Sequence, residues 1–216
     1  MQRADIFQEI VGRGNRRLII HVLGVASCVL IVSLLATTPA IARQTDKGLS
    51  QLFDLLSKES IPPGRSILRI ERKIWRLWTD SGRGDVDSLM RKGIRALGQR
   101  DYDRALNFFN QIISLDPEFS EGWNKRATVR FLRGEFKESL EDIESTLILE
   151  PRHFGALEGR GMIYENLGEL RNALEAYERV RLIHPHMRGL KEKIQILRHY
   201  NALPIHQSLA AQQPRG

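Results

Sequence analysis

The sequence has very little cysteine: Cys28 is the only one in 216 residues. A single cysteine excludes a disulfide framework, a cysteine zinc site and an iron–sulfur cluster. Common catalytic signatures are missing too, since the chain has no G-x-S-x-G, H-E-x-x-H or G-x-x-x-x-G-K motif. His153, His184 and His186 lack a recognisable third metal ligand. We therefore expect no enzyme, no catalytic residue, no cofactor and no metal site.

Acidic residues are the scarcer charged class, with 26 Asp and Glu against 33 Lys and Arg, which gives a net charge of +7. Charged residues make up 27% of the chain and apolar residues 42%, which argues against wholesale disorder and against a polytopic membrane protein. The positive charge is unevenly placed, because residues 63–104 contain 11 Lys and Arg but six Asp and Glu.

The first 42 residues read as a secretory signal peptide. Arg16 and Arg17 precede the run Leu18 to Ala36, which has no charged residue, and Ala40-Ile41-Ala42 has the small–x–small form of a cleavage site. The run is long enough that residues 18–36 could instead stay as an uncleaved anchor in the inner membrane. In both cases the arginines remain on the cytoplasmic side of the membrane. We expect an exported, periplasmic protein cleaved after Ala42, with lipidation at Cys28 and twin-arginine export as lesser alternatives.

A period of 34 residues runs through the middle of the chain. Pro117, Pro151 and Pro185 lie 34 residues apart, and chance alone rarely repeats a proline at a fixed offset. Each proline ends a helical pattern, since it cannot continue a helix and disfavours helix for the preceding residue. The same step relates Leu106, Leu140 and Leu174; Leu115, Leu149 and Ile183; Phe109, Ile143 and Tyr177; Ala105, Ser139 and Ala173; Gly93, Ala127 and Gly161.

This period and its internal spacing resemble the tetratricopeptide repeat (TPR) family. Trp123 takes the family's tryptophan position, and the small residues fall at its close-packing positions. The departure is at a first-helix leucine, where this chain has Lys92, Arg126 and Arg160. Asp142 is a predicted partner of Arg126, whereas the other repeats have Phe108 and Ala176 there. The predicted first, second and third repeats are residues 86–119, 120–153 and 154–187.

The resemblance implies an all-α, right-handed superhelical solenoid of three helix hairpins with helical caps at both ends. Residues 43–85 form the predicted amino-terminal cap, a helical pair broken at Pro62-Pro63-Gly64 that stacks on the first repeat. Residues 188–200 form the carboxy-terminal capping helix and 201–216 a loose tail. Leu190, Ile194, Ile196 and Leu197 make the predicted buried stripe of that helix.

The resemblance also implies a protein or peptide partner, bound in a concave groove that the first helices line. The corresponding groove residues are Met90, Ile94, Leu97, Asn124, Thr128, Phe131, Glu158, Met162 and Glu165. The family's lysine–asparagine clamp for a terminal carboxylate is not matched, because Met90 and Ile94 replace it. An alternative is that Met90, Ile94 and Met162 belong to the core. The mixed lining predicts a segment with apolar side chains and a basic end.

A second reading rests on an amphipathic helix before the repeats. Its apolar stripe is Ile67, Ile70, Ile74 and Leu77, and the other side is a basic face of Arg65, Arg69, Arg72, Lys73 and Arg76. A basic face can bind anionic lipid headgroups or an envelope polymer. It can also simply keep the protein in solution. Export argues against nucleic acid as the partner. We expect a non-enzymatic, exported adaptor, with binding to an anionic surface as the alternative.

Overall fold

The computed structural model describes residues 47–58 and 64–203. This part of the chain contains nine α-helices and no strand. None of these helices is long and apolar enough to cross a membrane. The predicted anchor, the cleavage residues Ala40 and Ala42, and the tail beyond Leu203 lie outside the described residues. The helices are α1 Lys47–Leu56, α2 Arg65–Thr79, α3 Gly84–Gly98, α4 Tyr102–Leu115, α5 Ser120–Leu132, α6 Phe136–Leu149, α7 Phe154–Asn166, α8 Leu170–Ile183 and α9 Leu190–Ala202.

Helices α3 to α8 form three hairpins, α3–α4, α5–α6 and α7–α8, each packed against the next. The turns inside the hairpins have equivalent backbones. Gly134 and Gly168 have φ of 77° and 74°, and Arg100, 34 residues earlier, has φ of 59°. A left-handed residue after a helix is a common way to end it, and glycine accepts that conformation without strain. The first hairpin reaches the same turn with an arginine.

The second helix of each hairpin ends directly before a repeated proline. Asp116, Glu150 and His184 close α4, α6 and α8 with extended backbone angles, for example φ −146° and ψ 82° at Asp116. Extended angles are what a residue before proline prefers. The structure therefore confirms the role predicted for the prolines.

Small residues allow the two helices of a hairpin to touch. A Cβ atom on Gly93 would lie 2.5 Å from the Phe109 ring, and one on Gly161 would lie 2.6 Å from the Tyr177 ring. In the second repeat the buried Ser139 hydroxyl donates a hydrogen bond of 2.8 Å to the Ala127 carbonyl. The small and bulky positions predicted from the period are thus packing partners.

Helix α9 caps the last hairpin and packs on α8. Its buried residues are Leu190, Ile194 and Leu197. Ile196 was also predicted for this stripe, but it is 56% exposed. Because Ile196 is two residues after Ile194, it lies about 200° around the helix axis and faces the opposite way.

The amino-terminal pair α1–α2 lies elsewhere than predicted. Its buried apolar residues share one core with the second and third repeats, including Phe154 and Leu157, and not with the first repeat. The first repeat has its own apolar cluster, built around Phe109 and closed by Val129 of α5. The residues of the pair that enter the larger core are Leu49, Phe53, Leu56, Ile67, Ile74 and Trp78.

Candidate functional site

A pocket of about 270 Å³ lies between helices α5, α6 and α7. It brings together five of the nine predicted groove residues: Asn124, Thr128, Phe131, Glu158 and Met162. Apolar and small side chains form most of the remaining wall. These are Ala127, Leu132, Ser139, Ile143, Gly155, Ala156, Gly159 and Ile163. The second and third repeats thus share a concave, mainly apolar site.

Glycines on α7 keep this pocket open. Gly159 lines it, and a Cβ atom there would meet Ile143 Cδ1 at 3.6 Å, an ordinary contact. A larger side chain would therefore extend into the pocket without a backbone clash. On the facing wall, the Thr128 hydroxyl donates a hydrogen bond of 2.9 Å to the Asn124 carbonyl. The buried Asn124 amide nitrogen donates to Glu121 Oε2 at 2.9 Å.

Glu158 supplies a carboxylate to an otherwise apolar wall. It is half-buried, and no hydrogen bond or ion pair to another described residue satisfies it. Burial raises the pKa of Glu158, although the positive charge of Lys193 partly offsets this effect. A carboxylate that is partly removed from water without a close partner favours a bound cation.

Glu165, the second predicted acid of the groove, already has partners. It accepts a hydrogen bond of 2.6 Å from the Tyr177 hydroxyl and one of 3.0 Å from Lys193 Nζ. Burial and the Glu165 carboxylate raise the pKa of the Tyr177 hydroxyl. Glu165 therefore ties α7, α8 and α9 together and does not line the pocket.

The predicted groove residues of the first repeat are separate from this pocket. Met90 is 2% exposed and belongs to the first repeat's core, which was the alternative reading. Leu97 packs against the same core, while Ile94 is 43% exposed. Among the described residues, those that line the pocket therefore come from the second and third repeats.

Helix α2 borders the pocket, which the sequence reasoning missed. A Cβ atom on Gly155 would lie 2.7 Å from Trp75 Cη2. The indole ring therefore packs directly against Gly155, which lines the pocket. Lys125 lies over the Trp75 ring, with its Nζ 5.2 Å from the centroid. Trp78 stacks on His153 with ring centroids 4.0 Å apart. Trp75 and Trp78 could have indicated this contact from the sequence, because tryptophan side chains rarely stay exposed.

Two acid–histidine pairs, one fully buried and one partly buried, lie beside α2. His153 contacts Glu121 Oε2 at 2.9 Å, and its Nδ1 accepts a hydrogen bond of 3.1 Å from the Ala156 backbone. Burial opposes ionisation of Glu121, but Lys125 and His153 outweigh it and lower its pKa. His184 contacts Glu71 Oε1 at 2.6 Å, and burial lowers the pKa of His184 although Glu71 opposes this. Within the described ranges, no group of three or more His, Cys, Asp or Glu side chains could hold a metal ion.

The basic face of α2 is exposed along its whole length. All five of its cationic residues point to solvent, and none forms an ion pair with another described residue. Its binding to an anionic surface stays a prediction. The members are Arg65, Arg69, Arg72, Lys73 and Arg76.

Comparison with known proteins agrees with this geometry. The family model for the tetratricopeptide repeat matches residues 90–148 and 124–185. A TPR repeat-containing protein of Rhizobium etli is 38% identical over 149 residues, which are 69% of this chain and 72% of that protein. The chain belongs to the tetratricopeptide repeat family. The all-helical TPR solenoid predicted from the sequence is therefore confirmed.

Solved TPR structures share the fold of this TPR protein. The first TPR of Spaghetti (RPAP3), bound to the HSP90 peptide SRMEEVD, superposes with a TM-score of 0.53 at 23% identity, covering 55% of this chain and 94% of that one. The crystal structure of MamA gives a TM-score of 0.52 at 17% identity, covering 69% and 91%. At these identities the likeness concerns the fold alone.

Proposed function

We propose that this TPR protein is a non-enzymatic scaffold that binds an extended segment of another protein in the pocket between its second and third repeats. The observation that carries the proposal is the pocket itself, a concave apolar site with the unpaired carboxylate of Glu158 on its wall. A site of this composition can bury an apolar side chain and select its orientation through one charged group. The Spaghetti TPR bound to a peptide supports this use of the fold.

The pocket chemistry indicates which segment fits. Phe131, Ile143 and Met162 offer a wall for an apolar side chain. Glu158 favours a lysine or arginine beside that side chain, because pairing would compensate a carboxylate that burial disfavours. The partner segment is therefore an apolar residue flanked by a cation. Binding should weaken at acid pH, since protonation of Glu158 through its raised pKa removes the charge that attracts the cation.

Site-specific photo-crosslinking in native cells tests this proposal. A photoreactive amino acid at position 128, inside the pocket, should crosslink to a partner segment that contains an apolar residue next to lysine or arginine. The matched control is position 148 on α6, where Ile148 is 72% exposed and outside the pocket. Equal yields at the two positions, or adducts only at position 148, would contradict the proposal.

We also propose that the protein works outside the cytoplasm. Arg16-Arg17, the apolar run and Ala40-Ile41-Ala42 support export. A reporter that is active only outside the cytoplasm, fused after Gln44, should be fully active, and mature protein should begin at Arg43. An inactive reporter would overturn the export claim, whereas an intact amino terminus on exported protein would overturn cleavage alone.

A further inference from the structure

Equivalent positions in the three repeats carry different charges. In the second repeat, Arg126 and Arg130 of α5 flank Asp142 of α6, whose side chain is 1% exposed. Arg126 binds both oxygens of Asp142 at 2.6 Å and 2.9 Å, and Arg130 reaches Oδ2 at 2.9 Å. This confirms the pairing of Arg126 with Asp142 predicted from the sequence. The chain thus supplies its own carboxylate to the arginines of this repeat.

The third repeat also has acidic groups near its basic residues. Arg160 and Arg179 line a cleft between α7 and α8 whose wall includes Glu175. Arg160 additionally lies 3.6 Å from Glu144 of the preceding repeat. The arginines of this cleft therefore have acidic residues close to them.

The first repeat has a pocket whose described wall contains cations but no carboxylate. Lys92, Arg95 and Arg104 line a pocket of about 430 Å³, together with Ala96, Gln99 and Phe108, and no acidic residue from the described part of the chain is in its wall. Phe108 takes the place that Asp142 has 34 residues later, and Arg104 takes the place of Glu138. None of the three cationic side chains forms an ion pair or hydrogen bond within residues 47–58 and 64–203.

This pocket lies on the end of the solenoid that no earlier repeat covers. Val129 and Ile163, 34 and 68 residues after Arg95, are fully buried, and Val129 packs against the first repeat. Among the described residues Arg95 is exposed, because α1 and α2 pack on the second and third repeats. A solenoid end needs polar residues for solubility. Mixed charges are enough to keep a surface soluble, whereas here three positive side chains line the same pocket as one phenyl ring.

We propose that this first-repeat pocket binds a carboxylate from an acidic segment of a partner protein, beside the Phe108 ring that replaces Asp142 in this repeat. Arginine favours carboxylates through paired hydrogen bonds, and a charge-assisted bond is stronger than a neutral one. The half-buried Phe108 ring offers contact for an apolar neighbour of the acid. The inference is independent of the pocket at Glu158, which selects the opposite charge at another place.

Fluorescence anisotropy on the full chain tests the proposal with a labelled peptide of repeated Glu-Glu-Leu and its Gln-Gln-Leu counterpart. The triple variant Lys92→Gln, Arg95→Gln, Arg104→Gln changes only exposed side chains, so the repeats should stay folded. It should lose about tenfold or more in affinity for the acidic peptide, the effect of about 1.4 kcal/mol of lost pairing. Phe108→Asp, which restores the internal carboxylate of the second repeat, should weaken binding in the same way.

The matched control removes one lysine and two arginines from exposed positions outside the pocket and outside the basic face of α2, through Arg171→Gln, Arg188→Gln, Lys191→Gln. This control should keep the parent affinity within about twofold, because it lowers only the general positive charge of the protein. The proposal is overturned if the parent does not prefer the acidic peptide to its glutamine counterpart. It is equally overturned if the first-repeat triple variant binds like the parent, or if this control variant loses as much affinity.

Discussion

Trp78→Ala is expected to lower the free energy of unfolding by about 3–5 kcal/mol, the usual cost of removing a large buried aromatic side chain. Trp78 is fully buried and stacks on His153, with its ring centroid 4.9 Å from that of Phe154 and 5.8 Å from that of Phe53. The variant therefore removes the main contact between α2 and the second and third repeats. Urea unfolding measures the loss, and limited proteolysis should show faster cleavage within residues 47–79.

Trp123→Ala is the matched control for this experiment. Trp123 is only partly buried, and its indole nitrogen donates to the Pro117 carbonyl at 2.8 Å. We expect a clearly smaller loss, because less apolar surface is returned to water. An equal loss for both variants, or an unchanged protease pattern for Trp78→Ala, would show that α2 is not held on the repeats as described.

The repeats could be predicted because their determinants are local. The proline step, the small residue Gly161 opposite Tyr177, and Arg126 opposite Asp142 all act within one helix hairpin. Sequence distance in a repeat is then also a guide to spatial distance. The pocket residues Asn124, Thr128 and Phe131 followed from the same alignment.

The position of α2 could not be predicted in the same way. The periodicity of Ile67, Ile74 and Trp78 shows that one face is buried, but not which surface covers it. The covering residues His153 and Phe154 lie more than 70 residues later in the chain. Because α2 lies there, it does not cover the first repeat. The pocket of Lys92, Arg95 and Arg104, which have no ion pair with another described residue, was therefore not predicted from the sequence.

Gly159→Leu is expected to abolish partner binding while the fold remains intact. The new side chain would extend into the pocket from α7, past Ile143, and occupy the space proposed for the partner's apolar side chain. Stability should not fall, since glycine in a helix interior costs about 1 kcal/mol relative to better helix formers. Gly98→Leu is the matched control, because nothing lies within 4 Å of a Cβ atom there and the site is outside the pocket.

The yield of the photo-crosslink at position 128, compared in these two glycine variants, tests the binding role of the pocket most directly. A scaffold that binds its partner between the second and third repeats predicts that the adduct disappears in Gly159→Leu and persists at the parent yield in Gly98→Leu. An adduct that persists unchanged in Gly159→Leu, with the pocket filled, would contradict it.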